Sequence, residues 1–194
     1  VTQTDTGYEG FALEDGRDPW IWDDRITAVQ FVRDGGDRTN PDDTLGTLLN
    51  WHSHPESLWS GNRYISSDFP HYFREYVENG LPEVERIDDT TAPALEGLGG
   101  TAIYISGSVG GLLGPGSGGT AIDRRGEEFD DPGFARADAL GQALAEATIN
   151  AFNDEEQTTQ TEDSLSFHTR ELLVPVQNRQ FHTAIFGLEL FNRP

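Results

Sequence analysis

Residues 44–57 read TLGTLLNWHSHPES, an apolar run that closes on two histidines one residue apart and then on a proline. Thr44 to Trp51 is apolar enough for a buried strand, and the proline and polar residues that follow mark its end. On a strand, His52 and His54 share one face, because side chains alternate with a period of two. Neutral imidazoles on one face near a strand end are good zinc ligands. The pair is also compatible with one buried, hydrogen-bonded histidine and one on the surface. Around it stand Glu56, Asn62, Ser66, Ser67 and Asp68, a polar cluster between two apolar elements. A strand end that opens into a polar loop is where binding residues tend to collect.

Working outward, RITAVQFV (25–32) has the β-branched content and alternation of a strand, and DGGDRTNPDD (34–43) is a turn cluster. The two apolar runs on either side of it read as a hairpin or as neighbouring strands that carry the histidines to one end. In SDFPHYFREYVENG (67–80), Phe69, Tyr72, Phe73, Tyr76 and Val77 fall on one helical face, with Asp68 as N-cap and Gly80 and Pro82 as a stop. GGTAIYIS (99–106) reads as another buried strand, and the glycine-rich GSVGGLLGPGSGG (107–119) follows it. Residues 131–154 make the clearest helix, with Asp131 capping, Pro132 in the first turn and an Ala/Leu stripe. Residues 165–176 alternate like a strand, and 181–191 suit either a strand or a helix. Strands alternating with helices give an α/β class, a mixed sheet flanked by helices.

The chain has 194 residues, which suits a single domain, and a net charge of −21 in which all 13 basic residues are arginine. Such a surface repels nucleic acid and anionic membranes, so neither is expected as a partner. The absence of cysteine rules out disulfides, thiolate ligands and a cysteine nucleophile. No run is long and apolar enough to span a membrane. Val1 to Gly10 is polar, so the expectation is a signal already removed or a chain that starts within a longer protein. The glycine-rich segment lacks the Gly-Lys-Ser/Thr of a phosphate loop. Carboxylate pairs such as Asp42/Asp43 and Asp88/Asp89 read as solvated surface charge. His71, His168 and His182 read as core or surface residues, and Trp20, Trp22 and Trp59 as packing residues that could also line an apolar groove.

Two families resemble the central stretch. NWHSHPES followed by SSD is similar to the JAMM-type zinc isopeptidases, whose strand ends in a His-Ser-His-Pro run and whose third ligand is an aspartate. That resemblance implies His52, His54 and Asp68 as ligands. Here thirteen residues separate His54 from Asp68, a longer loop than the family's, and Ile65 stands where the family has serine.

The second resemblance covers more of the chain. LLNWHSHPESLWSGNRYISSDFPHYFREYVE, the upstream GRDPWIWDDRITAVQFV and the downstream TAIYISGSVGGLLGP are together similar to neutral, non-lysosomal ceramidases. The resemblance implies His54 as the zinc ligand and His52 as a non-ligand. It implies Arg17 at the carbonyl of the scissile amide and a glycine loop around Gly110 and Gly111 whose backbone N–H groups receive the oxyanion. Asn62 and Asp68 would organise the loop around the histidine. Leu113 falls on the family's serine, so the implied chemistry uses a metal-activated water. The family's remaining ligands have no counterpart here, so the expectation is the central part of a larger ceramidase-like domain, its site completed by another chain or chain segment. The implied activity is zinc-dependent hydrolysis of a lipid amide or another small amide, in a secreted or periplasmic protein. The alternatives are the isopeptidase arrangement and a degenerate, structural member of the ceramidase-like family.

Overall fold

The computed structural model describes residues 25–107 and 119–154, together with Thr169. By contact the chain divides into two units, Val1–Thr158 and Thr159–Pro194, and the architecture described below belongs to the first. Arg17, Gly110, Gly111 and Leu113, the histidines at 168 and 182, Trp20, Trp22 and the stretches 165–176 and 181–191 lie outside the described residues.

The fold is α/β. Strand β1 (Thr27–Val32) pairs antiparallel with β2 (Thr44–Trp51), and β2 pairs parallel with β3 (Thr101–Ser106), so the sheet is mixed and the strand that leads into the histidines is central. Helix α1 (Phe69–Asn79) lies between β2 and β3 in sequence, as a parallel crossover requires. Helix α2 (Phe134–Asn153) follows β3. Between these elements run a 3-10 turn at Pro41–Asp43 and three two-residue ladders, the last pairing Ala121–Ile122 with Glu128–Phe129.

The core lies on one side of the sheet. Leu49 on β2 and Ala102 on β3 meet Phe69, Phe73 and Val77 of α1, the i, i+4, i+8 stripe, with Ala137, Leu144, Ala145 and Ile149 of α2 behind. Aromatic edges bind the layers: Phe69 packs edge-on against Trp51 and Tyr104, with ring centroids 5.6 and 5.8 Å apart. The helices approach closely at Gly141, where a Cβ would stand 2.9 Å from the backbone nitrogen of Phe73. The Tyr76 hydroxyl donates to Asp138 across the same seam at 2.7 Å.

Two expectations need correction. β2 and β3 are fully buried on one face only: Ile103 and Ile105 on the other face of β3 are about half exposed, as are Val29 and Phe31 of β1 on the same side, and Leu48 of β2 between them is partly exposed. Apolar content alone does not reveal whether a second layer covers a sheet, and among the described residues none covers this face. The second helix starts at Phe134, and its N-cap is Gly133, without a side-chain cap bond, rather than Asp131. The preceding Ser-like signal of an aspartate two residues early loses to the backbone of Gly133, which is extended and accepts the first helical bond from Ala137.

Candidate functional site

Strand β2 ends at Trp51, so both histidines stand just beyond it, at the carboxyl end of the central strand. The alternation expected of a strand therefore does not govern them. The loop places them differently. His52 rests against Gly107, the first residue after β3: a Cβ there would fall 2.7 Å from His52 Cε1. Gly107 also donates its N–H to Trp51 O at 2.7 Å. Only glycine lets the chain leaving β3 pass this close to the ring. The His54 side chain is one-third exposed, and its Nδ1 stands 3.7 Å from a carboxylate oxygen of Glu56.

From His54 onward a series of backbone bonds holds the loop. Glu56 N–H donates to His54 O at 2.9 Å, and Trp59 N–H to Glu56 O at 3.2 Å. Ser57 and Leu58, both buried, donate their N–H groups to the two oxygens of Asp68 at 3.0 and 2.8 Å. Asp68 in turn accepts the Phe69 N–H at 2.7 Å as the N-cap of α1. Three bonds to one buried carboxylate hold this residue at φ 60°, ψ −148°, a conformation that L-residues rarely adopt. Ser66 Oγ accepts the Asp68 N–H at 3.0 Å. Asn62 closes on Tyr64, accepting its N–H at 3.0 Å and donating to its carbonyl at 2.9 Å. Asp68 and Asn62 thus shape the loop. Both Asp68 oxygens are engaged there.

Sequence reasoning missed the group on the other side of the loop. Arg136, wholly buried in the first turn of α2, donates to the carbonyls of Ser57 (2.9 Å from Nη2, 3.2 Å from Nε), Gly119 (3.0 Å) and Asp130 (3.1 Å), and more loosely to that of Glu56 (3.5 Å). The signal was available, since an arginine beside Ala137 falls on the apolar stripe that runs through Gly141, Leu144 and Ala145. The hydroxyl of Ser57 itself is buried with no hydrogen-bond partner among the described residues.

Beside the loop lie two adjoining clefts. One is the more polar, lined by Glu56, Ser60, Asn62, Ser66 and Asp68 together with Pro55, Leu58 and Trp59. The other is more apolar, lined by Leu58, Trp59, Tyr64, Pro132 and Phe134 together with Asn62 and Arg63, and Leu58, Trp59 and Asn62 are common to both. Tyr64 and Phe134 face each other with centroids 6.2 Å apart. The remaining described histidine, His71, is exposed on α1 and stands 3.2 Å from Glu75.

As a metal centre the described residues fit in part. A partly exposed imidazole with a carboxylate near its Nδ1 suits one corner of a zinc site, because metal-bound histidines commonly direct their second nitrogen to a carboxylate. Among the described residues no group of three His, Asp or Glu side chains could close such a site. No described helix is long and apolar enough to cross a membrane. No family model matches the chain, and neither a curated protein nor a solved structure matches it.

Proposed function

We propose that this chain carries part of the site of a zinc-dependent amide hydrolase similar to the neutral ceramidases, acting outside the cytoplasm. The observation that carries the reading is the convergence at one end of the sheet. The glycine-rich segment leaves β3 against His52, and its far end, Gly119, accepts from the same Arg136 guanidinium that holds the loop after His54. The histidine loop and both ends of the glycine-rich segment, tied together in this way, support the reading.

In this reading His54 would be a metal ligand, with the Glu56 carboxylate 3.7 Å from its Nδ1. Zinc, when bound, supplies an acidic water near neutral pH and polarises the amide carbonyl. The backbone N–H groups of Gly110 and Gly111 receive the developing oxyanion, and Arg17 orients the carbonyl. The apolar cleft of Leu58, Trp59, Tyr64 and Phe134 suits an acyl chain, and the polar cleft beside it suits the amide and its hydroxylated substituents. The remaining ligands come from outside the described residues, on this chain or another. Asp68 weighs against the isopeptidase arrangement, because both its oxygens already accept backbone N–H groups.

The test is hydrolysis of a fluorogenic N-acyl sphingosine analogue by the chelator-stripped and zinc-reloaded protein. Zinc-dependent turnover that disappears in His54→Ala is expected. Turnover that survives in His54→Ala overturns the assignment.

A further inference from the structure

Peptide groups 56–57 and 57–58 share one arrangement. Each has its N–H on Asp68 and its C=O on Arg136. The first unit runs from Glu56 O to Ser57 N, the second from Ser57 O to Leu58 N. A buried anion and a buried cation therefore grip two consecutive peptide dipoles end to end, each charge at the favourable pole. Gly133 N–H adds a further donor to Ser57 O at 3.1 Å.

Helix α2 packs on the core through its apolar stripe of Ala137, Leu144, Ala145 and Ile149, to which a charge adds nothing hydrophobic. Removing a guanidinium from water is expensive, and well-packed apolar residues often serve stability as well as a buried charge does. What a planar fork adds is direction: several carbonyls are held at set angles at once. The carbonyls it reaches belong to the loop that begins two residues after His54, to Gly119 at the end of the glycine-rich segment, and to Asp130 before the helix.

We infer that Arg136 is a positioning residue for the His54 site: with Asp68 it fixes the backbone of residues 56–58, sets how His54 is presented, and registers that loop to the end of the glycine-rich segment. The functional consequence rests on the reading of His54 as a metal ligand, whereas the positioning can be measured without metal.

The experiment compares the full 194-residue chain with Arg136→Lys and Arg124→Lys by NMR in the absence of metal, and then by zinc titration. Lysine keeps the charge and loses the fork. Arg124 is the matched control, a second buried arginine that donates to other carbonyls. Arg136→Lys is expected to move the His54 ring signals and to speed amide exchange at Ser57 and Leu58 by roughly tenfold or more, leaving His71 in place. It should also weaken zinc binding by roughly 10- to 100-fold, the range for groups that orient a ligand. Arg124→Lys should leave all three unchanged. Unaltered His54 signals and exchange in a folded Arg136→Lys protein, or equal changes in Arg124→Lys, would overturn the inference. If Arg136→Lys does not fold, Asp68→Asn attacks the same peptide units from the other side. It must then displace the His54 signals, and their constancy overturns the inference. In a wild-type chain that takes up no zinc the missing ligands lie on another chain, and the metal-free NMR comparison alone decides the positioning.

Discussion

The two buried arginines, Arg136 and Arg124, put the same chemistry to different uses. Arg124 is 5% exposed and sits in the turn between the strands Ala121–Ile122 and Glu128–Phe129. It donates to the carbonyls of Pro82 and Pro93, the latter at 2.6 Å, and pairs with Glu146 in the middle of α2 at 3.3 Å. Its N–H reaches Gln142 at 3.2 Å. It fastens loops to a helix. Arg136 does the reverse: it starts from the helix and holds the loop that follows the histidines. Glu146 keeps some exposure, so water can take over if Arg124 is lost, whereas Arg136 reaches one fully buried carbonyl, that of Ser57, besides the less buried ones of Glu56, Gly119 and Asp130. A buried arginine that gathers loops can serve stability, placement or both, and what its acceptors belong to distinguishes these uses.

Truncation should widen the difference most. Arg136→Met is expected to destabilise the fold by about 3 kcal/mol, since it leaves the buried Ser57 carbonyl and the less buried ones of Glu56 and Gly119 without their charged donor. Arg124→Met should lose about 2 kcal/mol, because its partners can be hydrated. Urea unfolding of the two variants checks the order. Equal losses would remove the distinction.

The seam between the helices offers a smaller probe. Burial, and then the bond to Asp138, holds the Tyr76 phenol well above its ordinary range. A group whose folded pKa is raised contributes stability that is complete below the unfolded value, about 10, and is lost as pH rises beyond it. Wild type should therefore lose stability more steeply above pH ~10 than Tyr76→Phe does. At neutral pH the variant should be about 1 kcal/mol less stable. Thermal unfolding across pH 8 to 11, as a rough range around that pKa, reads both effects, and identical alkaline slopes would contradict the account.

Ser57→Ala is the smallest and the most pointed. The residue's backbone is gripped from both ends while its hydroxyl has no partner among the described residues. Removing an unsatisfied buried hydroxyl should leave stability unchanged to within ~0.5 kcal/mol or raise it slightly. A large loss would mean that the side chain, and not the peptide groups, anchors the loop.

Much of this fold is legible in the sequence where the determinant is local. The strand at Thr44–Trp51 has the bounds its apolar run suggests, and Asp68 caps a helix whose buried face is Phe69, Phe73 and Val77. Local signals fail at Asp131, where the backbone at Gly133 sets the helix start. They also fail on the outer faces of β1 and β3, because the same apolar residues serve a covered or an open sheet. The histidine pair was visible at once, but its surroundings were not. Arg136 is noticeable as a charge within an apolar stripe, yet its acceptors are carbonyls 79 and 80 positions away, and a carbonyl has no signature in sequence. Arg17, Gly110 and Gly111 rest on the family resemblance alone.

The most direct test is zinc binding by the intact chain, stripped and titrated, beside His52→Ala and His54→Ala. The account predicts binding that His54→Ala abolishes and His52→Ala leaves within a few-fold, because His52 packs on Gly107 while His54 is the ligand. Binding lost equally in both variants would favour the isopeptidase arrangement, and binding indifferent to His54 would contradict the account outright.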